Sequence, residues 1–266
     1  MNLISAYCTD AGALKHINQD SLCIKSVSYN GRGVFLAAVC DGLGGLSDGE
    51  TASAYVISKL SEWFDTCLPG ILDSEAAIPG IRRSIDEELH KINNSLNRYS
   101  DITSKTLGTT MTGLLASEAH KKIITFHIGD TRIYSIHNDN IKTLTNDHSV
   151  IADEVREGKL SPEEAENDPR QNQLTKCMGA GLDMISFDYS MISIETDCVY
   201  LICSDGFRKK ISSAEIHSAL CPSEITDDTA AEKKLSELTS LCIQRGESDN
   251  ISSVIIKTSG KGGTSD

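Results

Sequence analysis

The sequence predicts an α+β domain with largely antiparallel sheets and helices over the outer sheet faces. Three observations predict it. Strand-like runs come in blocks. Helical stretches come in pairs between the blocks instead of alternating with single strands. No interior linker rich in Pro, Gly or Ser divides the chain, and 266 residues suffice for one large core.

Taken in order, strands are expected over 4–7, 21–28 and 34–40. A helix follows over about 50–68, and a second over about 79–98. In the second, Ile81, Ile85, Leu89, Ile92 and Leu96 recur at helical spacing and read as core, with Pro79 fitting its first turn. Strands return over 109–116, 123–128, 133–137 and, briefly, 141–144. The polar region 146–184 holds a short helical piece near 149–157 and the acidic loop "SPEEAENDPRQ". Strands over 184–194 and 199–203 precede a helix over about 228–245, which aligns Leu235, Leu238 and Cys242 on one face. The last strand is 251–257, and "TSGKGGTSD" ends the chain as a disordered tail, with the domain itself taken as 1–258.

Composition excludes several roles. Hydrophobic content of 39% with 24% charged residues is ordinary for a soluble globular protein. A net charge of −13 argues against nucleic acid and anionic membrane as partners. It also makes a phosphate-bearing ligand awkward unless cations reverse the local field. The longest apolar runs are too short to cross a bilayer, and "MNLISAYCTD" lacks the pattern of a signal peptide. Nine cysteines without a CxxC pair read as free thiols in a reduced, cytoplasmic setting.

The chemistry is concentrated where strands stop. "VFLAAVCDGLGG" ends an apolar run on Asp41 and Gly42, "TFHIGDTRIYSI" places Asp130 after a strand, and "VYLICSDGFRK" places Asp205 before Gly206. "GESDNISSVII" sets Asp249 just ahead of the last strand, and "HINQDSLCIK" sets Asp20 ahead of another. One Asp-Gly at a strand end is an ordinary hairpin turn. Several such carboxylates in one small space repel and raise one another's pKa. Hard cations that prefer oxygen, Mg²⁺ or Mn²⁺, make such clustering favourable. Two of them bridged by a carboxylate can activate water and stabilise in-line displacement at phosphorus. The glycines then let a backbone carbonyl serve as a ligand, and Gly44 and Gly45 leave room for a phosphoryl group.

The ordered series "GALKHINQD", "DGLGG", "LGTTMTGLL", "GDTRIYSI", "LTNDHS", "NQLTKCMG", "CSDGF" and "SDNIS" resembles the metal-dependent protein phosphatases, the type 2C serine/threonine enzymes, over about residues 3–257. The glycine-rich "DGLGG" and the lack of large insertions resemble the compact bacterial members, which commonly oppose Hanks-type serine/threonine kinases. The resemblance implies a four-layer αββα sandwich acting on phosphoserine and phosphothreonine proteins, and a monomer is expected. It implies two core Mn²⁺ or Mg²⁺ ions and a weaker third. Asp41 is expected to bridge the core ions, Gly42 to give one its carbonyl, and Asp205 and Asp249 to complete the other. Water or hydroxide between the ions is the expected nucleophile, oriented by Asp20, and Asp130 shares the third ion with Asp205.

Three positions depart from the family pattern. Lys15 replaces a phosphate-binding arginine, keeping the charge but losing the bidentate fork. Gln19 stands where many members have a metal-binding glutamate, although some bacterial relatives share the amide. Leu43 stands where some members have a histidine after Asp-Gly, which makes His16 a candidate general acid. Residues 149–178 correspond to the family's flap, where Arg170 is a candidate contact for phosphopeptide, and His148 is read as structural. The alternative reading is a pseudophosphatase that binds phosphoproteins without turnover; Lys15 and Gln19 are its support, and the intact aspartates oppose it.

Overall fold

Strict alternation along the strands builds the molecule. In β3 (Arg32–Asp41), Val34, Leu36, Ala38 and Cys40 face one way, and Ala37 and Val39 the other, all of them buried. A strand buried on both faces must lie inside a layered structure, and the computed structural model has that form. It describes residues 2–43, 48–74, 76–165, 168–181 and 185–259.

In chain order, β1 (Asn2–Asp10), β2 (Asp20–Tyr29) and β3 lead into helices α1 (Gly49–Thr66), α2 (Leu68–Leu72) and α3 (Ala77–Thr103). The short β4 (Gly108–Thr109) precedes β5 (Met111–Ser117), β6 (Lys122–Ile128), β7 (Arg132–Ile136) and β8 (Ile141–Thr143). Then come α4 (Val150–Arg156), α5 (Pro162–Ala165), β9 (Met178–Gly179), β10 (Asp188–Ser193) and β11 (Cys198–Cys203). Helices α6 (Asp205–Arg208), α7 (Ser213–Leu220) and α8 (Asp228–Gln244) lead to β12 (Ile251–Ser259).

One antiparallel sheet has the order β1-β12-β11-β7-β8, and the other β10-β6-β5-β3-β2. Ala37, Val39 and Leu114 of the second sheet meet Tyr200, Ile202, Val254 and Ile256 of the first between the two. The outer face of the second sheet packs on α1–α3, where Ile81, Ile85, Leu89, Ile92 and Leu96 are all buried as their spacing predicts. The outer face of the first packs on α6–α8 through Phe207, Ile216, Leu235 and Leu238. The four-layer αββα arrangement expected of the sequence is therefore present.

The differences are local. The acidic loop contains the single-turn helix α5, because Ser161 and Glu164 cap it reciprocally: the Ser161 amide donates to Glu164 Oε2 at 2.9 Å, and the Glu164 amide to Ser161 Oγ at 3.2 Å. A second capping box, Ser212 with Glu215, starts the unanticipated α7. Strand β10 is shorter than the expected 184–194, and position 184 lies outside the described residues. The last strand runs to Ser259, one residue into the expected tail, and 260–266 lie outside the described residues.

Candidate active site

Antiparallel register gathers the aspartates. Asp20 opens β2 opposite Asp41, which closes β3. Cys203 of β11 pairs with Arg132 of β7 and Ser253 of β12. Asp205 therefore leaves the first sheet at the same end at which Asp130 and Asp249 lead into it. All five predicted aspartates thus converge at one end of the sandwich.

The backbone there is tightly fixed. The Asp41 amide donates to Thr110 Oγ1 and the Thr110 amide to the Asp41 carbonyl, each at 2.9 Å. The Gly42 amide donates to the Gln19 carbonyl at 3.1 Å. A Cβ on Gly42 would lie 2.4 Å from the Gly49 carbonyl oxygen, so only glycine lets α1 start this close to the strand end. Gly206 is under the same constraint: its Cβ would fall 2.2 Å from the Asn250 carbonyl oxygen. Gly44 and Gly45 lie outside the described residues.

Electrostatically the site is a strained set of like charges. Burial pushes the Asp20 carboxyl up to about 7, with Asp205 and Asp249 adding to the rise. The hydroxyls of Ser252 and Ser204 lie near enough to soften this, yet neither makes a hydrogen bond of good geometry, and both Asp20 oxygens are buried without a partner. Asp41 is raised well above the usual carboxylate range by burial and then by Asp20, Asp205, Asp130 and Asp249. Burial and Asp205 raise Asp130 to about 7 against the opposing charges of Arg208 and Lys209. Asp205 Oδ1 is also buried and unpartnered. Buried anionic oxygens without donors are costly unless a cation meets them. These hard oxygen donors, with the Gly42 carbonyl beside them, suit Mg²⁺ or Mn²⁺. Among the described residues, no three His, Cys, Asp or Glu side chains converge tightly enough to hold an ion alone, so backbone oxygen and water must complete any shell.

The other predicted residues divide. Lys15 reaches the site, its Nζ 3.2 Å from Asp249 Oδ1. His16 beside it is exposed. Gln19 Nε2 donates to Glu50 Oε2 at 3.2 Å. His148 accepts the Gly129 amide at Nδ1, 3.1 Å, which leaves Nε2–H for Asp188 Oδ2 at 3.2 Å and fixes the turn before Asp130. Arg170, the candidate phosphopeptide contact, has its guanidinium bound within the 149–178 segment to Glu154, at 2.9 and 2.8 Å, and to Asp168, at 3.0 and 2.8 Å.

Several residues here were not singled out from sequence. Asn250 clasps the loop bearing Lys15: its Oδ1 accepts the Gln19 amide at 2.9 Å, and its Nδ2 donates to the carbonyls of Ala11 and Ile17 at 2.9 and 3.1 Å. Glu247 Oε1 accepts the amides of Ser248 and Asp249 and shapes the turn that presents Asp249. Lys209 pairs with Asp205, and Arg208 lies 3.7 Å from Asp130 Oδ2. The signal for this last pair was the run of cations straight after "SDGF".

A helix-covered double sheet that gathers carboxylates at one end defines a class of metal-dependent phosphatases. The family model described as Protein phosphatase 2C matches residues 13–241, and the chain belongs to that family. It is 28% identical over 256 residues to the serine/threonine phosphatase stp of Listeria innocua, spanning 94% of this chain and 93% of that one. It is likewise 28% identical over 249 residues to protein phosphatase PhpP of Streptococcus pneumoniae, spanning 93% and 94%. The crystal structure of Stp1, a serine/threonine phosphatase from Staphylococcus aureus, superposes with a TM-score of 0.83 at 26% identity, over 98% of this chain and 96% of that one.

Proposed function

We propose that the aspartate-lined sheet end is the active site of a metal-dependent serine/threonine protein phosphatase. The observation that carries this reading is the set of buried, unpartnered oxygens on Asp20 and Asp205 among mutually repelling carboxylates. Asp41 and the Gly42 carbonyl are assigned to one of two core Mn²⁺ or Mg²⁺ ions, and Asp41, Asp205 and Asp249 to the other. Such ions, when bound, supply an activated water and positive charge for the phosphoryl oxygens. Asp20 orients the attacking water, and its fixed place opposite Asp41 suits that task. Lys15 offers a point charge to substrate phosphate from a loop that Asn250 holds against the site. His16, exposed next to Lys15, is left free to protonate the leaving alkoxide.

The substrates are assigned as phosphoserine and phosphothreonine proteins, with a Hanks-type kinase as the opposing enzyme and a monomer as the working unit. Cytoplasmic placement is supported by cysteines that are all free among the described residues. No described helix is long and apolar enough to cross a membrane.

Hydrolysis of p-nitrophenyl phosphate and of a phosphothreonine peptide, with Mn²⁺, Mg²⁺ or EDTA, tests the reading. Turnover should require the metal and should collapse in Asp205→Asn. Metal-independent or absent turnover would overturn the activity, and an active Asp205→Asn would overturn the site.

A further inference from the structure

Asp130 and Asp205 are the two residues to which the family resemblance gives a shared third ion. Their surroundings do not fit one. Helix α6 is a single turn, and it brings the two cations that follow "SDGF" back onto these carboxylates. Lys209 Nζ pairs with Asp205 Oδ2. The Arg208 guanidinium lies 3.7 Å from Asp130 Oδ2, donates to the Asp130 carbonyl at 3.0 Å and meets Asp147 Oδ2 at 3.1 Å.

These charges are fixed and poorly screened, with side-chain exposures of 15% for Arg208 and 20% for Lys209. Arg132, bound to Asp147 through two nitrogens, adds a third cation. Asp130, Asp147 and Asp205 thus face Arg132, Arg208 and Lys209, three formal positive charges against three carboxylates. Asp205 divides its oxygens accordingly. Oδ2 is taken by the ammonium, while Oδ1 is buried without a partner. A divalent ion between Asp130 and Asp205 would sit against two fixed positive charges, each already beside one of the two carboxylates.

We infer that Arg208 and Lys209 fill the charge role of a third ion, so that the protein saturates with two divalent cations. The inference rests on the two-ion reading proposed above. It is tested by Mn²⁺ titration calorimetry, with native mass spectrometry of the loaded protein to count ions. Wild type should bind two Mn²⁺ at millimolar concentration. Lys209→Met should accept a third, tightened at least about tenfold over any residual binding in wild type, as expected for removing a unit charge a few ångströms away. Arg208→Gln is the second variant, with a thermal melt to establish folding; because Lys209 is the less buried of the two, Lys209→Met decides the matter if Arg208→Gln does not fold. Three ions in wild type would overturn the inference, and so would two ions in every folded variant. No bound Mn²⁺ in wild type would overturn the core-site reading and this inference with it, and is distinguishable from both.

Discussion

Asp20 and Asp41 are register partners across the β2–β3 ladder, one opening its strand and the other closing its own. Pairing two carboxylates there sets the partly buried Asp41 against the buried Asp20, at a cost to the metal-free fold. The Asp20 carboxyl, raised to about 7 by burial and then by neighbouring charge, would be near its ordinary value of about 3.9 in the unfolded chain. A raised acid destabilises the fold increasingly as pH rises from about 4 to 7, and the full penalty remains above that range. Asp20→Asn should therefore melt about 3–8 °C higher than wild type in EDTA at pH 8, with a smaller gain at pH 5. Its metal-dependent turnover should fall at the same time. Identical melts at pH 8 would show that the repulsion is not real.

Asp147 sits between two arginines, with Arg132 meeting it at 2.7 Å through each of two nitrogens and Arg208 at 3.1 Å. Its side chain is 9% exposed. Asp147→Asn leaves both guanidiniums facing a neutral amide, and removing one partner from a buried ionic network costs about 3–5 kcal/mol. The melting temperature should drop by at least about 6 °C. A loss below about 1 kcal/mol in denaturant titration would mean that solvent screens these pairs.

His127 provides a pH-dependent term of the opposite sign. Burial, and then the charge of His148 stacked on it at 4.9 Å, push it down to about 4. It is neutral in the fold, Nε2–H donating to the Asn146 carbonyl at 3.0 Å and Nδ1 accepting the Thr112 hydroxyl at 2.7 Å. The unfolded histidine titrates near 6.5, so this stabilisation is complete above that pH and is lost as pH falls toward 4. Comparing melts at pH 7 and pH 4.5, His127→Asn should lose less stability on acidification than wild type. Equal losses would place the acid sensitivity elsewhere.

Much of the fold was legible because both of its periodicities are strong. The row from Ile81 to Leu96 marks a helix over a sheet, and the doubly apolar 34–40 run marks a central strand. The five aspartates were legible because each ends or precedes such a strand, and strand ends of matching direction meet at one sheet end. The cations were harder to place. Arg208 finds Asp147 and Asp130 across some sixty to eighty residues, a proximity fixed by the β7–β11 register and not by any local pattern. The helices α5 and α7 were missed although both carry a readable S-x-x-E box, since four to eight residues give too little hydrophobic period to notice. The partners of Arg170 were not legible either, because a lone arginine in an acidic loop looks available, whereas Glu154 one helix earlier and Asp168 two residues back bind it.

These bonds make Arg170 a latch that joins α4 to the segment after α5. It is 38% exposed, and exposed ion pairs contribute about 1 kcal/mol or less. Arg170→Ala should therefore shift the global melting temperature by no more than about 4 °C. Its local effect should be larger, because Glu154 and Asp168 lose their shared partner and the segment after α5 loses this side-chain tie to α4, which loosens the far side of the loop that carries Lys159. Limited trypsin digestion should cut after Lys159 several-fold faster in the variant, with p-nitrophenyl phosphate turnover close to wild type and the KM for a phosphopeptide raised. Trypsin resistance equal to wild type would show that other contacts hold the flap. A large loss of p-nitrophenyl phosphate turnover would instead show that Arg170 acts on the catalytic centre.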